Sequence, residues 1–346
     1  MRDGHSVFER LRRRRPGGGA LPLARGLVVA YLGLAAASGS WSAPPDTPRG
    51  PSRSNLATLD CSRVSARDVS EVLSGAPAPR IIALHGSLPI VTMEPFADFL
   101  VAMGYPAASI GHPVDGTRSY RSFVDSRRLA GEIAWIYERE GLMPILVGHS
   151  QGGMIVIKVL HELAGNASPA IPVWDPARAE PDARTAITDP RTGNMRPVVG
   201  LKLDYAAALA TGSLPRIVLG QWGVLPFLRD VPDSVGEFTG FAIPWDPIAG
   251  TGPDPAGYHA TGTASVRNVV LPSTYSHIFL PAVSHLAVQP ETRRWIDGWA
   301  PDAVPDLPDG VNVSNLLHAA DIWYSVKRHW CRGAKALAET SGRVSH

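Results

Sequence analysis

The segment Pro144-Ile-Leu-Val-Gly-His-Ser-Gln-Gly-Gly153 constrains this chain more than any other. A short apolar run stops at a glycine, a serine follows, and Met154, Ile155, Ile157, Val159 and Leu160 then continue with helical spacing to about Ala164. This is the pattern of a buried strand that turns sharply into a helix. G-x-S-x-G alone occurs often by chance, but in this context it puts Ser150 in a strained turn for which Gly148 and Gly152 supply room. The serine hydroxyl then stands clear of the sheet at a helix N-terminus, where the dipole favours developing negative charge. The competing account is an accidental Gly-Ser-Gly turn at a strand–helix junction.

The flanking sequence repeats strand and helix in alternation. Residues 80–84 form an apolar run ending at His85-Gly86, 94–103 have helical spacing and close at Gly104, and 105–110 read as another strand. An amphipathic helix over 120–140 carries Phe123, Leu129, Ile133, Ile136 and Tyr137 on one face and stops at Gly141. Such alternation predicts an α/β fold with a mostly parallel central sheet flanked by helices. Further on, 165–195 read as a long loop, 198–203 as a strand, and 206–232 as partly helical. Residues 238–244 and 266–271 read as strands, 291–299 and 313–338 as helices. At 346 residues the chain allows one large domain or two, and no interior linker divides its body.

The HG loop at His85-Gly86, the GHSQGG turn and a late histidine resemble the α/β-hydrolase superfamily, and the turn resembles its lipase and esterase members. The likeness covers roughly residues 78–300 and implies a small cap, about 205–235. It implies the order serine, acid, histidine: Ser150 as nucleophile, Asp246 as acid and His285 as base, with Asp204 and His277 the alternatives. The oxyanion donors it implies are the backbone N–H groups of Gln151 and of Ser87, with Leu88 competing for the second place. His85 then reads as a structural buttress. Leu88, Trp222 and Phe227 are the candidate substrate-binding side chains. The chemistry expected is hydrolysis of a carboxylic ester through an acyl-enzyme, with no cofactor and no metal. Amide, lactone or polyester cleavage is the alternative, as is an inactive binding protein on the same fold.

Composition sets the compartment and excludes some partners. Residues 1–25 hold seven arginines against Asp3 and Glu9, and nothing from 26 to 43 is charged, so the remainder carries 26 basic against 29 acidic residues. A body without basic excess is not built to neutralise nucleic-acid phosphates. The basic start, the twelve apolar residues from Gly26 and the small residues after them follow the order of a signal peptide, placed at 1–43. Twelve residues are too few to span a bilayer, which takes about 20. Residues 44–77 are expected to be a linker or extension and 301–346 a C-terminal helical extension. Cys61 and Cys331 are the only cysteines. In an exported chain they are expected to pair, against the plainer account of two unrelated buried thiols. The expectation is therefore a secreted or periplasmic monomer, with no stable membrane span, acting on a small-molecule or lipid ester.

Overall fold

The computed structural model describes residues 53–88, 90–212, 227, 229–307 and 313–344. All of them belong to the compact unit Pro48–His346. The expected signal peptide at 1–43 lies outside the described residues.

Among the described residues, five parallel strands form the central sheet in chain order: β1 Ile81–Leu84, β2 Ile145–His149, β3 Leu203–Leu209, β4 Val235–Ala242 and β5 Ser265–Val270. Ala83, Val147, Ala207, Thr239 and Arg267 stand in one row across it. Beyond β1, the expected strand at 105–110 shrinks to a single bridge from Ile110 to Ile81, because Ala107–Ser109 curls into a 3₁₀ turn. The connections from β1 to β2 and from β2 to β3 contain helices and that from β4 to β5 contains none, but each is long enough to return the chain to the same end of the sheet.

Alternate strand residues face opposite layers. Ala83, Val147, Tyr205, Ala207 and Phe241 share one core with α3 Glu94–Ala102 and with the two C-terminal helices described below. Leu84, Leu146, Ala206, Ala208 and Phe238 share the other with α4 Ser126–Glu140 and α5 Gln151–Leu163. A sheet covered on both faces needs apolar residues at every position, which is why β1 and β2 read as unbroken apolar runs. α4 starts where the Asp125 side chain accepts from the Arg128 N–H at 2.8 Å and ends at Gly141 in the left-handed region.

Residues 53–77 and 313–344, expected to be a linker or extension and a C-terminal helical extension, pack into the body. Within the expected linker, α1 Arg53–Thr58 and α2 Ala66–Glu71 are helices, the second opened by a Ser65–Asp68 capping box. α6 Pro290–Gly298 and the 29-residue α7 Leu316–Val344 follow the sheet. α7 is a core layer rather than an extension: Trp323 and Trp330 are fully buried, and the Trp330 indole N–H donates to the Pro77 carbonyl at 3.1 Å. Cys61 and Cys331 are disulfide-bonded, with Cα atoms 5.4 Å apart, and tie the α1–α2 segment to α7.

The expected cap at 205–235 is also corrected at its start, since β3 occupies 203–209 in the middle of the sheet. The alanines that suggested a helix, Ala206, Ala207 and Ala208, are buried there. The apolar stretch 213–226, with Trp222, lies outside the described residues. The expected loop 165–195 holds most of two small antiparallel ladders, 174–175 with 180–181 and 186–188 with 195–197. Among the described residues no helix is long and apolar enough to cross a membrane.

Candidate active site

Ser150 sits between the end of β2 and the start of α5, at φ 53 and ψ −116. A non-glycine residue in that region is strained by about 1–3 kcal/mol and persists only where its surroundings hold it. Here the Ser150 N–H donates to the Leu209 carbonyl at 2.8 Å, extending the β2–β3 ladder by one bond. The Ser150 carbonyl accepts from the Thr211 hydroxyl at 3.2 Å and from the Gly153 N–H at 3.1 Å. The glycines around it are steric necessities. A Cβ on Gly148 would lie 2.4 Å from the Gly152 carbonyl, and one on Gly152 would lie 2.3 Å from the Leu84 carbonyl oxygen.

His277 Nε2 lies 2.9 Å from Ser150 Oγ, and His277 Nδ1 lies 2.7 Å from Asp246 Oδ2. The carboxylate accepts Nδ1–H, so Nε2 carries the lone pair that accepts the serine hydroxyl. All three side chains are buried. Asp246 Oδ1 accepts two further bonds, from the backbone N–H groups of Ile248 at 2.9 Å and Ala249 at 3.0 Å. Burial pushes the Asp246 carboxyl up, but the bonds from His277, Ala249 and Ile248 outweigh it, so the group is held below the ordinary aspartate range. A hydroxyl bonded to an imidazole that a carboxylate orients is the arrangement in which oxygen gives up its proton while it attacks.

This geometry corrects the expected base. His285 lies in the 3₁₀ turn Ser284–Ala287 and makes no bond to Ser150; His277 takes the place. Both histidines come after β5 and before α6. The deciding fact is reach: His277 follows Val270, the end of β5, by seven residues, so its loop stays over the carboxyl ends of the strands. Nearness to the end of the last strand, rather than to the next helix, is the signal that distinguishes them. Asp246 follows β4 at those same strand ends. The alternative acid, Asp204, sits at the start of β3, opposite Gly236 near the start of β4, at the other end of the sheet.

Two backbone peptides lie beside the serine, at Gln151 and at Gly86–Ser87. Gln151 opens α5, so its N–H is one of the helix's free donors. The Gly86 carbonyl accepts from His85 Nδ1–H at 2.6 Å and from the Ser122 hydroxyl at 3.0 Å. In a trans peptide the next N–H points the opposite way, so these two bonds fix the direction of the Ser87 N–H. A Cβ built on Gly86 would lie 3.2 Å from Ser150 Cβ, which puts this peptide against the serine. His85 thus acts as the buttress its position suggests.

Neither a described protein family nor a curated protein matches the chain. A solved structure described as "RedJ with PEG molecule bound in the active site" is similar at 16% identity and a TM-score of 0.29, over 72% of this chain and 97% of its own.

The cleft over Ser150 has a free volume of about 30 Å³ and is walled by Gly86, Ser87, Leu88, Val91, Ile248 and Ile278, with His149 and His277. That is room for a water molecule or two. Leu88 and Ile248 are 47% and 40% exposed, an apolar rim beside the hydroxyl. Of the expected substrate-binding residues, Leu88 lines this cleft. Phe227 is not: it stacks on His161 with ring centroids 4.2 Å apart. His161 is near the far end of α5, about 16 Å from Ser150 at 1.5 Å per residue. Trp222 lies outside the described residues. Sequence reasoning passed over Thr211 and His149, which carry no motif of their own and are recognised only by what they touch.

Proposed function

We propose that this protein is a serine hydrolase of the α/β-hydrolase superfamily that cleaves carboxylic esters through an acyl-enzyme. The observation that supports it best is the Asp246–His277–Ser150 chain of hydrogen bonds, at 2.7 and 2.9 Å, on a serine held at positive φ. Ser150 Oγ attacks the ester carbonyl carbon as its proton passes to His277 Nε2. The bond to the alcohol oxygen then breaks, and Nε2–H returns the proton to that oxygen. Water repeats both steps on the acyl-enzyme and releases the acid. The N–H groups of Ser87 and Gln151 receive the charge that gathers on the carbonyl oxygen. Asp246 stays ionised and stabilises the imidazolium. The rim of Leu88, Ile248 and Ile278 favours an ester whose acyl or alcohol part is apolar. The disulfide fits a secreted or periplasmic location.

The test is labelling by a fluorophosphonate, followed by hydrolysis of p-nitrophenyl esters of graded chain length. Labelling of Ser150 in the native protein is expected. In Ser150→Ala both labelling and turnover should vanish, with kcat down by about 10⁶ and an unchanged melting temperature. Turnover near wild type in that variant refutes the reading.

A further inference from the structure

His277 is carried by a loop with no ladder of its own, Leu271–Val283, between β5 and the turn before α6. Its side chain is fixed at both nitrogens, but a side chain is only as well placed as the backbone that bears it. Besides turns of its own, three carbonyls of this loop are held by side chains from elsewhere. Asn315 Nδ2 donates to the Phe279 carbonyl at 2.7 Å, and His318 Nε2–H donates to that of Leu280 at 2.8 Å. At His277 itself the donor is His149, the residue before the serine, whose Nε2 lies 2.8 Å from the His277 carbonyl oxygen.

His149 is buried, and its ring centroid lies 5.1 Å from that of His277. A carbonyl only accepts, so Nε2 carries the ring proton. Nδ1 is left as a buried lone pair with no partner among the described residues. Burial above all, then the neighbouring His277, pushes the ring down to about 3, so it is neutral near pH 7. It neither takes the proton that His277 moves nor repels the imidazolium that forms. On its other side the ring lies against Gly86, since a Cβ there would be 3.3 Å from Nδ1. One rigid ring, rooted at the end of β2, therefore spans from the backbone of His277 to the peptide that carries the Ser87 N–H.

We propose that His149 is a positioning residue, which holds the backbone of His277 through its Nε2–H bond so that the imidazole stays in line between Asp246 and Ser150. The proposal rests on the reading of this site as a serine hydrolase. A displacement of about 1 Å at a reacting group costs on the order of 100-fold in rate. His149→Phe keeps the ring volume and removes the donor. His149→Gln returns an N–H close to where Nε2 stood.

The experiment compares kcat and KM for ester hydrolysis in wild type and both variants. It also follows the downfield Nδ1–H proton of His277 by NMR. With Phe, kcat is expected to fall about 10–100-fold at nearly constant KM, and the His277 proton to broaden or shift. With Gln, both are expected to return most of the way, with the pH profile of wild type. If wild type is not labelled at Ser150 by the fluorophosphonate, the hydrolase reading falls and this inference falls with it. If wild type is labelled but His149→Phe keeps the wild-type kcat and His277 proton, the inference alone is overturned. Should the phenyl ring prevent folding, His149→Leu takes its place in the same comparison.

Discussion

Replacing Asp246 by asparagine changes one atom and should disable the site without unfolding the protein. Asp246 Oδ1 accepts two backbone N–H groups and Oδ2 accepts His277 Nδ1–H. An asparagine has one oxygen for these three donors. If its NH₂ turned toward Ile248 and Ala249, two buried N–H groups would face a donor, at about 1–3 kcal/mol each. The oxygen therefore stays on the backbone and the NH₂ faces His277. Nδ1 must then become the acceptor, and the ring proton moves to Nε2, the nitrogen that should receive the proton of Ser150. The known scale for such a forced tautomer is about 10⁴ in kcat, equal to about 5.4 kcal/mol of transition-state stabilisation. Steady-state hydrolysis of p-nitrophenyl butyrate at pH 7 reads the rate, and circular-dichroism melting reads the fold. Asp204→Asn, at the opposite end of the sheet, should stay within a few-fold of wild type. An Asp246→Asn variant within tenfold of wild type, folded and stable, refutes the assignment of the acid.

Opening the disulfide by Cys61→Ser with Cys331→Ser frees a loop spanning a sequence separation of 270. On the chain-entropy model this lowers stability by up to about 5.6 kcal/mol in a denaturant titration; no change would refute a stabilising role for the cross-link. Glu237 lies buried among His329, Arg328 and Arg267; burial pushes its carboxyl up, but those partners hold it down at about 2. Its stabilisation is therefore full above the ordinary carboxylate range and is lost as pH falls through about 2. Glu237→Gln should cost about 3–5 kcal/mol at pH 7, and the gap to wild type should close between about pH 4.5 and 2, followed by denaturant melts at each pH. Gly152→Ala puts a methyl group 2.3 Å from the Leu84 carbonyl oxygen and 2.8 Å from that of His85, both backbone. It should lose about 3 kcal/mol of stability, and turnover with it; a stable, active variant would contradict the close packing of β1 on the turn.

Ser150 was legible because its signal is local: an apolar strand, a glycine and a helix in unbroken sequence. Asp246 was legible because it ends a strand with a turn former behind it. His277 was not, because the choice between two histidines depends on where β5 stops, and β5 has an exposed, alternating face that blurs its end. In sequence β3 reads as part of a cap because Leu-Asp-Tyr-Ala-Ala-Ala-Leu carries helix formers. Its small residues answer a packing demand instead: a Cβ on Gly153 would lie 3.2 Å from Ala208 Cβ, so α5 sits too close to β3 for anything larger. Tertiary contact outweighs propensity there. The helices of 53–71 were hidden by their Ser- and Arg-rich composition, and what retains them, Cys331 and the Lys335 bond to the Leu59 carbonyl at 2.8 Å, comes from the other end of the chain.

The fixing of the histidine loop by Asn315 and His318 sets a timetable on synthesis. Once residue 277 has left the ribosome, the nascent chain already contains Ser150, Asp246 and His277. The groups that clamp the carbonyls of Phe279 and Leu280 arrive only with the first turn of α7, and the covalent lock on that helix needs residue 331 and an oxidant. A chain stopped before Asn315 thus holds Ser150, Asp246 and His277 without the side chains that fix the loop between them, so that this cluster is completed only by the last helix described.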